Sequence, residues 1–137
     1  MSLFSFSGKQ PDNLGVKQGK LLACPSTPNC VCSQADAGDQ EHFIAPITTN
    51  KSAADAIATL KTIIEGMERS TINEVSDDYL YAEFASKIMG FVDDIEFYVE
   101  PNAGVIHVRS AARLGKSDLG VNRKRVESIR EQFQSQG

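Results

Sequence analysis

Tryptophan is missing from this chain, histidine occurs twice and cysteine three times. A nucleophilic cysteine would therefore have only His42 or His107 as its imidazole base, and nothing in the spacing favours His42 as a fourth metal ligand beside the cysteines. No apolar run approaches the ~20 residues that cross a bilayer. The opening Met1-Ser-Leu-Phe-Ser-Phe-Ser-Gly-Lys lacks the charged, apolar and small-residue regions of a secretory signal. Ser2 stands where a myristoylation start needs glycine. The expected compartment is therefore the cytoplasm, with a peripheral membrane contact through Leu3, Phe4 and Phe6 left open. Walker, GxGxxG, GxSxG and HExxH signatures are absent. Helix-turn-helix spacing, zinc-finger spacing and aromatic stacking motifs are absent too, so no nucleic-acid partner is expected.

What is present suffices for one domain. A chain of 137 residues, 41% of them hydrophobic, can bury a core without metals or disulfides. The net charge of −4 conceals an asymmetry. Residues 1–108 carry seven Lys/Arg against fifteen Asp/Glu, and residues 109–137 carry seven against three. The basic end can serve a phosphate, a carboxylate or an acidic partner, or it can neutralise the acidic remainder of its own domain.

Residues 1–40, rich in Gly, Pro, Ser, Asn and Asp, read as an irregular arm packed on an α+β domain over 41–137. His42 to Ile47 suits a short edge strand because it contains Pro46. Ser52 and Asp55 open a helix whose Ala53, Ala56, Ile57, Leu60, Ile63, Ile64 and Met67 form one apolar stripe. Residues 71–75 and 79–86 alternate as strands. Pro101 to Gly104 turns a hairpin spanning Asp93 to Arg113, in which Val99 faces Ile106, Phe97 faces Val108 and Ile95 faces Ser110. In the same register Tyr98 meets His107, Glu96 meets Arg109, and Asp94 lies diagonal to Arg113. Ser117 or Asp118 caps a final helix with Asn122, Val126, Ile129 and Phe133 on one side. The fold class is α+β: a single domain with an antiparallel sheet of about four strands, two main helices and the arm.

The segment from Arg109 to Arg125 concentrates arginines, hydroxyls and glycines where a strand runs into a helix. Guanidinium forks and free helix N-terminal N–H groups can converge there on an anion. The candidate ligand-binding residues are Arg109, Ser110, Arg113, Ser117, Asn122 and Arg123, bordered by Asp93, Asp94 and Glu96. Two features oppose an anion: Asp118 would repel it and cap the helix itself, and Asp94 and Glu96 can satisfy the two strand arginines as a cross-strand network. Asp93 and Asp94 point to opposite faces and do not converge on a metal, and no calcium-loop pattern follows them.

Cys24, Cys30 and Cys32 follow a C-x₅-C-x-C spacing, which is neither a zinc ribbon nor a thioredoxin-like pair. Structural thiols are the first reading, ahead of a disulfide or redox pair of Cys24 and Cys30, then zinc, then catalysis. No metal and no cofactor are expected.

These blocks together resemble a known family, domain of unknown function 1499. The likeness is carried by residues 21–31 around Cys24, Pro25, Pro28, Asn29 and Cys30, by residues 90–97, and by residues 108–126. Pro46 and the intervening helix extend it over nearly the whole chain. It implies that Cys24, Pro25, Pro28, Asn29 and Cys30 belong to one motif, and that Cys32 stands where serine is more usual, which weakens a three-cysteine metal site. It also matches Phe91, Asp93, Asp94, Glu96, Arg109, Ser110, Arg113, Gly115, Ser117, Asp118, Asn122 and Arg123 to the family's other motifs. No activity comes with it, and export or membrane-anchoring segments of other members do not transfer.

The leading functional expectation is a small binding or assembly module that engages an anionic small molecule or a protein partner through the arginine segment. On that reading Arg113→Ala weakens partner capture and leaves the melting temperature nearly unchanged. The alternatives are a thiol-dependent enzyme or redox protein centred on Cys24 and Cys30, and a structural subunit of a larger assembly.

Overall fold

The two periodicities of the chain become two layers. The computed structural model describes residues 8–86, 91–115 and 118–136. Among them the alternating stretches form β3 (Ser70–Val75), β4 (Tyr79–Ala85), β5 (Val92–Val99) and β6 (Val105–Ala112). These are the strands expected from the sequence. Two shorter ones, β1 (Cys30–Cys32) and β2 (Ile47–Thr48), complete an antiparallel sheet in the order β1-β6-β5-β4-β3, with β2 also paired to β6. β1 falls inside the stretch read as an irregular arm, because three residues are too few to show alternation. The edge strand expected from His42 shrinks to β2, which begins just after Pro46, a residue with no N–H for a ladder.

The β5–β6 hairpin has the register that burial and charge required, from Ile95 opposite Ser110 to Val99 opposite Ile106. One face of the sheet carries Leu80, Ala82, Phe84, Ile95, Phe97, Ile106 and Val108. Helices α1 (Ala53–Glu65) and α2 (Val121–Ser135) lay their apolar stripes on that face, and Leu60, Ile64, Val126 and Ile129 are fully buried there. Ser52 Oγ accepts from the Asp55 N–H at 3.1 Å and starts α1 as its sequence required. The N-cap of α2 is Gly120 rather than the expected Asp118, which stands two residues earlier and accepts from the N–H groups of Gly120 and Asn122 at 2.9 and 3.0 Å. Gly120 holds φ at +79°, a conformation natural to glycine at this tight entry. Ser117, the other expected cap, lies outside the described residues.

Among the described residues the opposite face carries no helix. Its covering comes from the arm, whose Leu14, Val16 and Leu21 pack on Tyr79, Tyr81 and Tyr98. The sheet thus separates a large apolar core from a small aromatic one.

Candidate functional site

Strand alternation splits the expected site between the two faces. Asp93 and Ser110 point toward the helices, whereas Asp94, Glu96, Arg109 and Arg113 stand on the helix-free face. On the helix side Asn122, fully buried, accepts from Ser110 Oγ and donates to Asp118 Oδ2 at 2.8 Å. Arg125 donates to Asp93 Oδ2 at 2.8 Å and to Asn122 Oδ1 at 3.1 Å, with its guanidinium 4.7 Å from the Phe84 ring centroid. Burial pushes the Asp93 carboxyl above its ordinary range even though Arg125 pulls it down. Arg123 stands apart and reaches the carbonyls of Gln40 and Glu41.

These side chains are bonded mainly to one another. The N–H groups at the start of α2 face Asp118 rather than an open anion site, and Arg125 is tied to Asp93.

On the helix-free face Arg113 donates to Asp94 with two nitrogens, each at 2.8 Å, and also to Glu83 and the Tyr81 hydroxyl. Tyr81 in turn donates to Asp94. The diagonal pairing of Asp94 with Arg113 is therefore present, and Glu83 and Tyr81 complete it. The parity of β4 places Tyr79, Tyr81 and Glu83 opposite Leu80 and Ala82, so this membership was legible once the strand was recognised.

Arg109 and Glu96 differ. They are cross-strand neighbours and attract one another electrostatically, as expected, but no hydrogen bond joins the two side chains. Glu96 Oε2 is taken by the Tyr79 hydroxyl and by the N–H of Gly15, at 2.7 Å. The partners lie 17 and 81 residues away, and nothing in the sequence marked Gly15. Among the described residues Glu96 Oε1 and Arg109 Nε have no hydrogen-bond partner, although Glu96 is 1% and Arg109 6% exposed. Leaving a buried polar atom unfilled costs about 1–3 kcal/mol, and more for a charged group. Burial raises the Glu96 carboxyl above its usual range and the Tyr79 phenol likewise, with the Glu96 hydrogen bond adding to the latter shift.

The cysteines border this face. Cys24 and Cys30 form a disulfide, which corrects the first reading of both as thiols: the loop brings their Cα atoms to 5.7 Å, within the span a bridge needs. Cys32 is the free cysteine among the described residues and lies across from Arg109. Burial raises its pKa, so it favours the inert thiol form. No group of three metal-ligating side chains occurs among the described residues. A cavity of about 430 Å³ is lined by Leu21, Cys24, Cys32, Gln34, Asp39 and His42 among others, so its wall includes the cross-strand neighbour of Arg109.

Residues 20–133 match the family described as protein of unknown function (DUF1499). The chain belongs to the DUF1499 family. The match includes the disulfide loop, the β5–β6 hairpin and most of α2, so it spans every site residue expected from the sequence. A search of the curated proteins finds no match. No helix among the described residues of this DUF1499 chain is long and apolar enough to cross a membrane.

Proposed function

We propose that this DUF1499 protein is a small binding or assembly module whose ligand seat is the Arg109–Glu96 pair, not the arginine segment as a whole. The observation that carries it is the pair of unfilled, buried polar atoms on the helix-free face. Arg113 and Arg125 already have carboxylate partners, whereas Arg109 retains a buried N–H without one. A group that accepts from Arg109 Nε and donates to Glu96 Oε1 completes both. Primary amides and hydroxyls have that pairing, whether on a small molecule or on a side chain of a protein partner. A bare anion fits less well, because Glu96, Asp94 and Glu83 share the face. The disulfide also favours an oxidising compartment over the cytoplasm expected from the sequence, and trapping free thiols in intact cells before electrophoresis reads which applies.

The test uses acetamide and acetate as probes, read by the ¹⁵N-resolved signal of Arg109 Nε–H. Acetamide should shift that signal in the wild type and acetate should not. Glu96→Gln should reverse the preference, since its amide can donate to a carboxylate. No shift by either probe in either protein would sink the reading and leave the seat to water.

A further inference from the structure

We infer that residues 10–21 form a strap over the Arg109–Glu96 seat, and that the strap lifts as a unit to admit a ligand. The inference rests on the seat proposed above, but the motion can be measured without any ligand.

The strap adds no strand to the sheet, and its pairing is internal, a short turn between Lys17 and Lys20. Among the described residues, its hydrogen bonds to the rest of the molecule are few. The Gly15 N–H donates to Glu96, the Leu21 N–H donates to the Gln34 side chain at 2.8 Å, and Gln34 Nε2 donates to the Gly19 carbonyl at 2.9 Å. Its apolar contact is the small cluster of Leu14, Val16 and Leu21 on three tyrosines, separated by the sheet from the main core. Segments with little apolar burial and few backbone hydrogen bonds open well below the global unfolding free energy.

Cavities flank it on both sides. One of about 200 Å³ lies between Gln10, Pro11, Asp12 and Leu14 and the strands β3 and β4. The larger one lies between Lys20, Leu21 and the surroundings of Cys32. A strap bordered by voids forfeits dispersion contacts along both margins. Its flanks, by contrast, are closely held. Gly8, just before it, packs so closely on Arg113 and Leu114 that a Cβ would come within 3.0 Å of each, and Cys24, just after it, is held by its disulfide. Residues 10–21 can therefore lift together between Gly8 and Cys24. The strap's Gly15 N–H is bonded to Glu96, which carries one of the two unfilled atoms and is the cross-strand neighbour of the other, so lifting would relieve that desolvation.

The composition supplies the probe. All three tyrosines of the chain, Tyr79, Tyr81 and Tyr98, lie under the strap, and there is no tryptophan. Tyrosine emission therefore reports this face alone. Gly15→Pro removes the N–H that Glu96 accepts and cannot adopt the φ of +105° found there. In the full chain this variant should let acrylamide quench tyrosine emission nearly as in free tyrosine, with the far-ultraviolet dichroism of the helices unchanged. In the wild type, the amides of Gly15 and Leu21 should exchange with deuterium on the order of tenfold or more faster than those of Ile95 and Val108. Equal exchange at all four amides, or Gly15→Pro tyrosines as protected as in the wild type, would overturn the strap. Should the variant fail to fold, the wild-type exchange still decides. A strap that opens without any acetamide shift at Arg109 would retain the motion and discard the seat.

Discussion

At the scale of single residues, Arg113 shows how burial reverses an expectation. Read from the sequence it was a partner-binding side chain whose loss the fold would tolerate. In the structure its side chain is 6% exposed and that of Asp94 3%, with Glu83 and Tyr81 completing the group. Truncating it would leave the Asp94 carboxylate buried and uncompensated. Breaking a buried pair from one side costs about 3–5 kcal/mol, several times what an exposed pair contributes. Arg113→Ala should therefore lower stability by about that amount in urea titrations. A loss below about 1 kcal/mol would mean that Asp94 is reached by water. The pairing of Asp94 with Arg113 was legible because strand alternation fixes which side chains share a face. The orphaning of Arg109 was not, since it depends on Tyr79 and Gly15 drawing Glu96 away.

At the scale of elements, periodicity decided what the sequence revealed. The helices and the β5–β6 hairpin have repeats of 3.6 and 2 long enough to recognise, whereas β1 is three residues long and the arm has no repeat at all. The disulfide loop was equally opaque, because spacing alone does not choose between thiols and a bridge. Its attachment to the 39–42 turn runs through His42, whose Nδ1 lies 2.7 Å from Asp39 Oδ2 and Nε2 2.8 Å from the Thr27 carbonyl. Both partners accept only, so both bonds form fully when both ring nitrogens carry protons. The Asp39 hydrogen bond, then the Thr27 carbonyl, raise the His42 pKa, and the same bond to His42 lowers that of Asp39. A raised histidine contributes stability that is complete below its unfolded value of about 6.5 and lost as pH rises through the folded value. The lowered aspartate contributes above its unfolded value and loses that contribution as pH falls through its folded one. The tether should therefore be strongest between the unfolded aspartate and histidine values, about pH 4 to 6.5. Melting temperature measured against pH should fall above that window in the wild type and lose this slope in His42→Gln. An unchanged slope in the variant would assign the dependence to other groups.

At the scale of the molecule, the opposed charges of the two ends meet within the fold. Arg113 joins Asp94 and Glu83, and Arg125 joins Asp93, so part of the basic end neutralises the acidic remainder rather than facing an external partner. The same sheet also keeps two apolar clusters apart, and they need not contribute equally to stability. Helix dichroism reports one face and tyrosine emission the other, so a single urea titration reads both. Leu60, fully buried in the larger cluster, anchors α1 on the shared sheet. Leu60→Ala should lower both transitions together by about 2–5 kcal/mol, because the strap has nothing to cover once the sheet is lost. Leu21→Ala removes contact from the smaller cluster alone. It should move the tyrosine transition to lower urea while the helix transition stays near that of the wild type. If Leu21→Ala shifts both signals equally, the two faces unfold as one unit and their separation by the sheet is geometric without being energetic.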